Sequence, residues 1–115
     1  MWAIQTTDVF DTWFDALDDT DRTNVLAALM VLRDQGPRLS RPYADTVYGS
    51  VHTNMKALRI QSKGKPLRAL CAFGPQRTGI ILCAGNKVSA EKRFYTTMIP
   101  LADRLFSEHL AQLNR

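Results

Sequence analysis

Phe10, Trp13, Phe14 and Leu17 recur at the spacing of one helix face, with Thr7 or Asp8 placed to cap it. The pattern predicts a helix over 8–17, preceded by a short strand at "WAIQ". Val25, Leu29 and Leu32 form a second stripe, and "GP" at Gly36 and Pro37 supplies a C-terminal turn and a breaker, so a second helix is predicted over 20–35. From Pro37 to Asn54 no period is sustained, and the stretch reads as a connector. Strands are predicted over 56–62, 67–74 and 78–86, joined by turns at "KGKP" and "PQR" short enough for an antiparallel meander. "GIILCAG" is apolar throughout and is expected to be central. A helix should begin near Ala90, break at Pro100 because proline lacks an amide hydrogen, and give way to a final helix over 100–113. The fold class expected is α+β: a helical hairpin packed on a small, mainly antiparallel sheet, with C-terminal helices and one helical layer.

Length and composition fit that plan. A chain of 115 residues, 45% hydrophobic and 23% charged, fits one domain over 1–115. No apolar run reaches the roughly 18 residues of a membrane span, and "MWAIQTTDVF" lacks the basic start and apolar core of a signal peptide. A cytoplasmic protein with no membrane partner is expected. Cys71 and Cys83 lie in the most apolar stretches and read as core thiols. His52 and His109 are isolated from each other and from any ligand-like cysteine spacing, so neither a metal nor another cofactor is expected.

Charge sharpens the picture. Residues 1–34 carry seven Asp against Arg22 and Arg33, a balance of −5, whereas residues 36–95 carry eleven Lys or Arg against Asp45 and Glu91, a balance of +9. The stretch "HTNMKALRIQSKGKPLRAL" holds Lys56, Arg59, Lys63, Lys65 and Arg68 with no acid. Such a one-sign patch repels itself and suits a polyanion. Side chains alternate along a strand, so Arg59 falls opposite to Leu58 and Ile60, and Arg68 opposite to Leu67, Ala69 and Cys71. With the helical hairpin on the apolar side, Arg59 and Arg68 are expected to emerge together on an open face. Two guanidiniums held on a sheet suit a phosphodiester, which accepts bidentate hydrogen bonds.

The motifs "GPRLSRP", "NMKALRI", "PLRALCAF", "AGNK" and "KRFYTTMIPLADRLFSEHL", in this order and over nearly the whole chain, resemble the HigB-like (phage Gp49-like) branch of the RelE/ParE toxin superfamily. The resemblance implies a type II toxin, usually a ribosome-dependent endoribonuclease cutting mRNA, neutralised by a helix-turn-helix (HigA-like) antitoxin. The family's strand motif falls on Leu58 and Arg59, its second strand arginine on Arg68, its lysine after the last strand on Lys87, and its basic-aromatic pair on Arg93 and Tyr95. Branch members typically carry an acid before Leu-Arg; Ala57 stands there, so a base or charge partner is absent at that position.

Attack of a ribose 2′-hydroxyl on the adjacent phosphate needs one proton removed, a phosphorane stabilised and a leaving oxygen protonated. Arg59, Arg68 and Arg93 suit charge stabilisation. Arginine stays protonated and is a poor base, which leaves Lys87 or Tyr95 for proton transfer, with base stacking as the alternative role of Tyr95. Lys56, Lys63, Lys65, Arg77 and Lys92 are the candidate RNA-backbone cations. The alternatives are a ParE-like, non-nucleolytic toxin acting on DNA gyrase, and an inactive phage-derived remnant that binds only its antitoxin.

Overall fold

The computed structural model describes residues 1–88 and 91–114. Strand β1 (Ala3–Thr6) leads into helices α1 (Asp8–Asp15) and α2 (Asp19–Gln35), followed by a 3-10 turn (Gly36–Arg38). Strands β2 (Ala44–Thr46), β3 (Lys56–Ser62), β4 (Lys65–Gly74) and β5 (Thr78–Asn86) precede α3 (Glu91–Leu113). The strands lie in the order β1-β5-β4-β3-β2, with β1 parallel to β5 and the other pairs antiparallel.

The helix starts follow from capping. Thr7 Oγ1 accepts from the Phe10 amide at 3.1 Å and donates to the Leu82 carbonyl, so one hydroxyl caps α1 and ties it to β5. Asp18 caps α2 through the Asp21 amide at 2.9 Å. At its end Gly36 takes φ +60°, and a Cβ there would lie 2.2 Å from the Trp2 indole nitrogen; only glycine meets both conditions.

Helices occupy both sides of the sheet, not one. Phe10, Val25, Leu29 and Leu32 of α1 and α2 pack with Leu58, Ile60, Leu67, Ala69 and Cys71. On the opposite side Ala102 and Phe106 of α3 pack with Ala57, Leu70, Ala72, Ile80 and Leu82. Alternation along each strand therefore feeds two cores. The strand residues facing away from the helical hairpin are mostly apolar, and α3 covers them.

Three further expectations are revised. The connector contains β2, a three-residue edge strand too short to show a period. The predicted break at Pro100 is absent, since α3 is one helix through it. Pro100 and Thr96, whose carbonyl loses its helical partner, are both exposed, while Met98, Ile99, Ala102 and Phe106 pack on the same side of the sheet; solvation and burial offset the lost hydrogen bond. The all-apolar β5 is interior, but β4 holds the centre of the sheet. Ala90, the predicted helix start, lies outside the described residues.

Candidate active site

Register places Arg59 of β3 directly opposite Arg68 of β4, and Gly85 of β5 opposite Arg68. All three lie on the side covered by α3. Gly85 is where that helix approaches: a Cβ there would stand 3.0 Å from Phe94 and 3.1 Å from Met98. The bare backbone lets the first turns of α3 settle onto the sheet, and Tyr95 reaches hydrogen-bonding range of the Arg68 guanidinium.

Arg68 departs from expectation most. It is 3% exposed rather than open to solvent. Its Nη1 donates to the Leu67 carbonyl at 2.9 Å, while its buried Nε has no hydrogen-bond partner among the described residues. Burial and the nearby Arg59 both disfavour its charge, lowering its pKa, partly countered by Tyr95 and Asp45.

Arg59 is about one-third exposed and donates to Asp45 Oδ2 at 2.7 Å; Arg41 Nε donates to Oδ1 of the same carboxylate at 2.6 Å. Asp45 pairs in register with Ala57. The acid missing from position 57 of β3 is thus supplied by the neighbouring strand. Burial pushes the Asp45 carboxyl up, but hydrogen bonds from Arg59 and Arg41 outweigh it and hold the carboxyl below the usual range.

Beside this group lies a cleft of about 300 Å³, walled by Tyr48, Thr46 and Arg41 on one side and Tyr95 and Ile99 on the other, with Ala57 among its lining. Arg41, Asp45 and Tyr48 were missed in the sequence because they fall in the aperiodic connector. The interleaved "RPYADTVY" was the available signal.

The other candidates fall partly beside this group and partly elsewhere. Lys87 follows β5 two residues beyond Gly85, its amide donating to the Pro66 carbonyl at 3.1 Å. Lys92 and Arg93 are exposed on the first turn of α3. Lys56 lines an adjoining hollow with Arg41, Asp45 and Tyr48. Lys63 and Lys65 turn the other way. Lys63 and Gly64 both take positive φ in the β3–β4 turn, and Lys63 pairs with Asp18. Lys65 shares the side of Leu67 and Ala69 and reaches buried Asp21 at 2.5 Å, which also accepts from Ser62. Two of the five cations of the basic run are therefore engaged internally, by Asp18 and Asp21 of the acidic hairpin. Arg77, at the far β4–β5 turn, lies 5.0 Å over the Trp2 ring.

The remaining chemistry is quiet. Cys71 and Cys83 are buried free thiols on opposite sides of the sheet, and burial pushes each up to about 12. His52 Nε2 meets Ser107 Oγ at 2.9 Å and its ring stands edge-on to Phe106, which fastens the connector to α3. Among the described residues no cluster of three His, Cys, Asp or Glu could hold a metal, and no helix is long and apolar enough to cross a membrane.

Residues 12–107 match the family of phage-derived Gp49-like proteins. The chain is 46% identical over 101 residues to the putative toxin HigB2 of Mycobacterium tuberculosis (strain ATCC 25618 / H37Rv), covering 87% of this chain and half of that protein. It is 40% identical over 104 residues to the putative toxin HigB3 of the same strain, covering 86% of this chain and 90% of that protein.

Proposed function

The chain belongs to the phage-derived Gp49-like, HigB-like toxin family, and from that membership we propose that it is the toxin of a type II toxin-antitoxin pair, acting as an endoribonuclease on translated mRNA. The observation that carries the reading is the pairing of Arg59 with Arg68 across two strands, with Tyr95 set against Arg68 from α3. A buried guanidinium with an unpartnered Nε and a like-charged neighbour costs stability, so its presence is best explained by chemistry.

In the proposed reaction the 2′-hydroxyl attacks the neighbouring phosphorus and the 5′-oxygen leaves, giving a cyclic phosphate. Arg59 and Arg68 stabilise the phosphorane, and Arg93 at the head of α3 adds charge from the solvent side. Tyr95 or Lys87 moves the proton. Asp45 holds Arg59 in orientation and, being hydrogen-bonded to two guanidiniums, is poorly suited to act as the base. Partners on this reading are mRNA on the ribosome and a cognate helix-turn-helix antitoxin.

The test is brief induction followed by primer extension on an abundant transcript, with and without a translation inhibitor. Cleavage within reading frames that disappears with the inhibitor is expected. Lys87→Gln and Tyr95→Phe should slow it unequally, the larger loss marking the proton-transfer residue. Intact transcripts with inhibited DNA supercoiling would refute the nuclease and support gyrase as target.

A further inference from the structure

The proposed chemistry leaves Tyr48 unused. The loop that carries it is closed by the Val47 amide donating to the Met55 carbonyl at 2.9 Å. It is fastened to α3 where Asp103 accepts from Ser50 Oγ at 2.5 Å and from the Val51 amide at 3.1 Å. A loop tied at these points has little freedom, yet its Tyr48 is 83% exposed. Tyr48 lines both the 300 Å³ cleft beside Tyr95 and an adjoining hollow of about 360 Å³ that includes Arg41 and Lys56. The arrangement offers two aromatic side chains, small polar groups at Thr46 and Asp45, and a cationic rim. It matches the demands of an unstacked base with its phosphate: a π-face to stack on, polar edges to meet, and a guanidinium outside.

We propose that the cleft between the 47–55 loop and α3 binds one splayed base of single-stranded RNA, with Tyr48 as its stacking wall and Arg41 contacting the adjoining phosphate. This rests on the ribonuclease reading for its substrate class. The Arg41–Asp45 bond uses Nε, so the terminal nitrogens of Arg41 are not engaged by it and suit a phosphate. Asp45 thereby links the two functions: one carboxylate orients Arg59 toward the reacting phosphate and Arg41 toward its neighbour.

A non-cleavable 2′-O-methyl RNA octamer, and the same octamer with one abasic position moved along it, are titrated against the full chain by fluorescence anisotropy. At one position the intact octamer should bind about fivefold tighter or more than the abasic one, Tyr48→Phe should keep that ratio, and Tyr48→Ala should bring it to about one. Because Tyr48 is exposed, Tyr48→Ala should fold normally, and the ratio is internal to each variant. A wild-type chain indifferent to abasic positions, or a Tyr48→Ala ratio equal to the wild-type one, overturns the proposal. So does a Tyr48→Ala variant that loses its co-purifying antitoxin while keeping the ratio, which would make the loop a protein-docking surface. The transcript assay above runs alongside: retained base discrimination without cleavage sinks the nuclease and keeps the base site, and cleavage without discrimination does the reverse.

Discussion

Replacing Arg68 by Met separates what this residue does for the fold from what it does for chemistry. Methionine keeps most of the chain length under α3 and removes the charge. The buried Nε without a partner costs about 1–3 kcal/mol, and its removal recovers that amount. Losing the charged hydrogen bond to the Leu67 carbonyl costs about 1.5–3 kcal/mol and parting from Tyr95 adds to that loss, while relief from Arg59 works in the favourable direction. The two sides nearly cancel, so stability should change by no more than about 1 kcal/mol, or about 5 °C in melting temperature for a domain of this size. Activity should not survive so well: losing one donor to a developing oxyanion typically costs about 100- to 1,000-fold. Arg68→Ala is the less informative change, since it also opens a cavity beneath α3 at about 2–4 kcal/mol. Thermal melting by circular dichroism and quantitative primer extension give the two readouts. A melting temperature lowered by more than about 10 °C would make Arg68 a structural residue, and cleavage within about threefold of wild type would remove it from the site.

Two further outcomes follow from packing and from charge. Gly85→Ala needs only small shifts of Phe94 and Met98, whereas Gly85→Val should lift the start of α3, cost about 1–3 kcal/mol and slow cleavage at least tenfold by withdrawing Tyr95 from Arg68; equal activity in both variants would show that this approach is not needed. The Asp21 carboxyl is held below its ordinary value of 3.8 by hydrogen bonds from Lys65 and then Ser62. A depressed folded pKa gives stability that is complete above the unfolded value and lost as pH falls through the folded one, so melting temperature should hold from neutrality to about pH 5 and drop below about pH 4. Asp21→Asn should lower it at neutral pH and flatten the acid drop; an unchanged acid profile would assign that drop to Asp18 and Asp45.

Periodicity along the chain determined a good deal. The two-residue alternation of β3 and β4 already put Arg59 and Arg68 on one side of the sheet, and the register confirms them as direct neighbours. The stripe of Val25, Leu29 and Leu32 and the "GP" stop bounded α2 to within a residue. These features are local: backbone geometry maps spacing onto a face without reference to anything distant. What lies across that face is not local. Arg68 was expected in solvent, and α3, packing continuously through Pro100, buries it. Lys63 and Lys65 belonged to the same basic run as Arg59, yet turn geometry and strand parity send them to Asp18 and Asp21 more than 40 positions away in the chain. The acid absent at Ala57 comes from Asp45 on a three-residue edge strand that carries no period at all. Burial, ion-pair partners and edge-strand pairing depend on which distant segment arrives opposite. Only the packing of the whole chain decides that, because the free energy of each such contact belongs to both partners and is encoded at neither position alone.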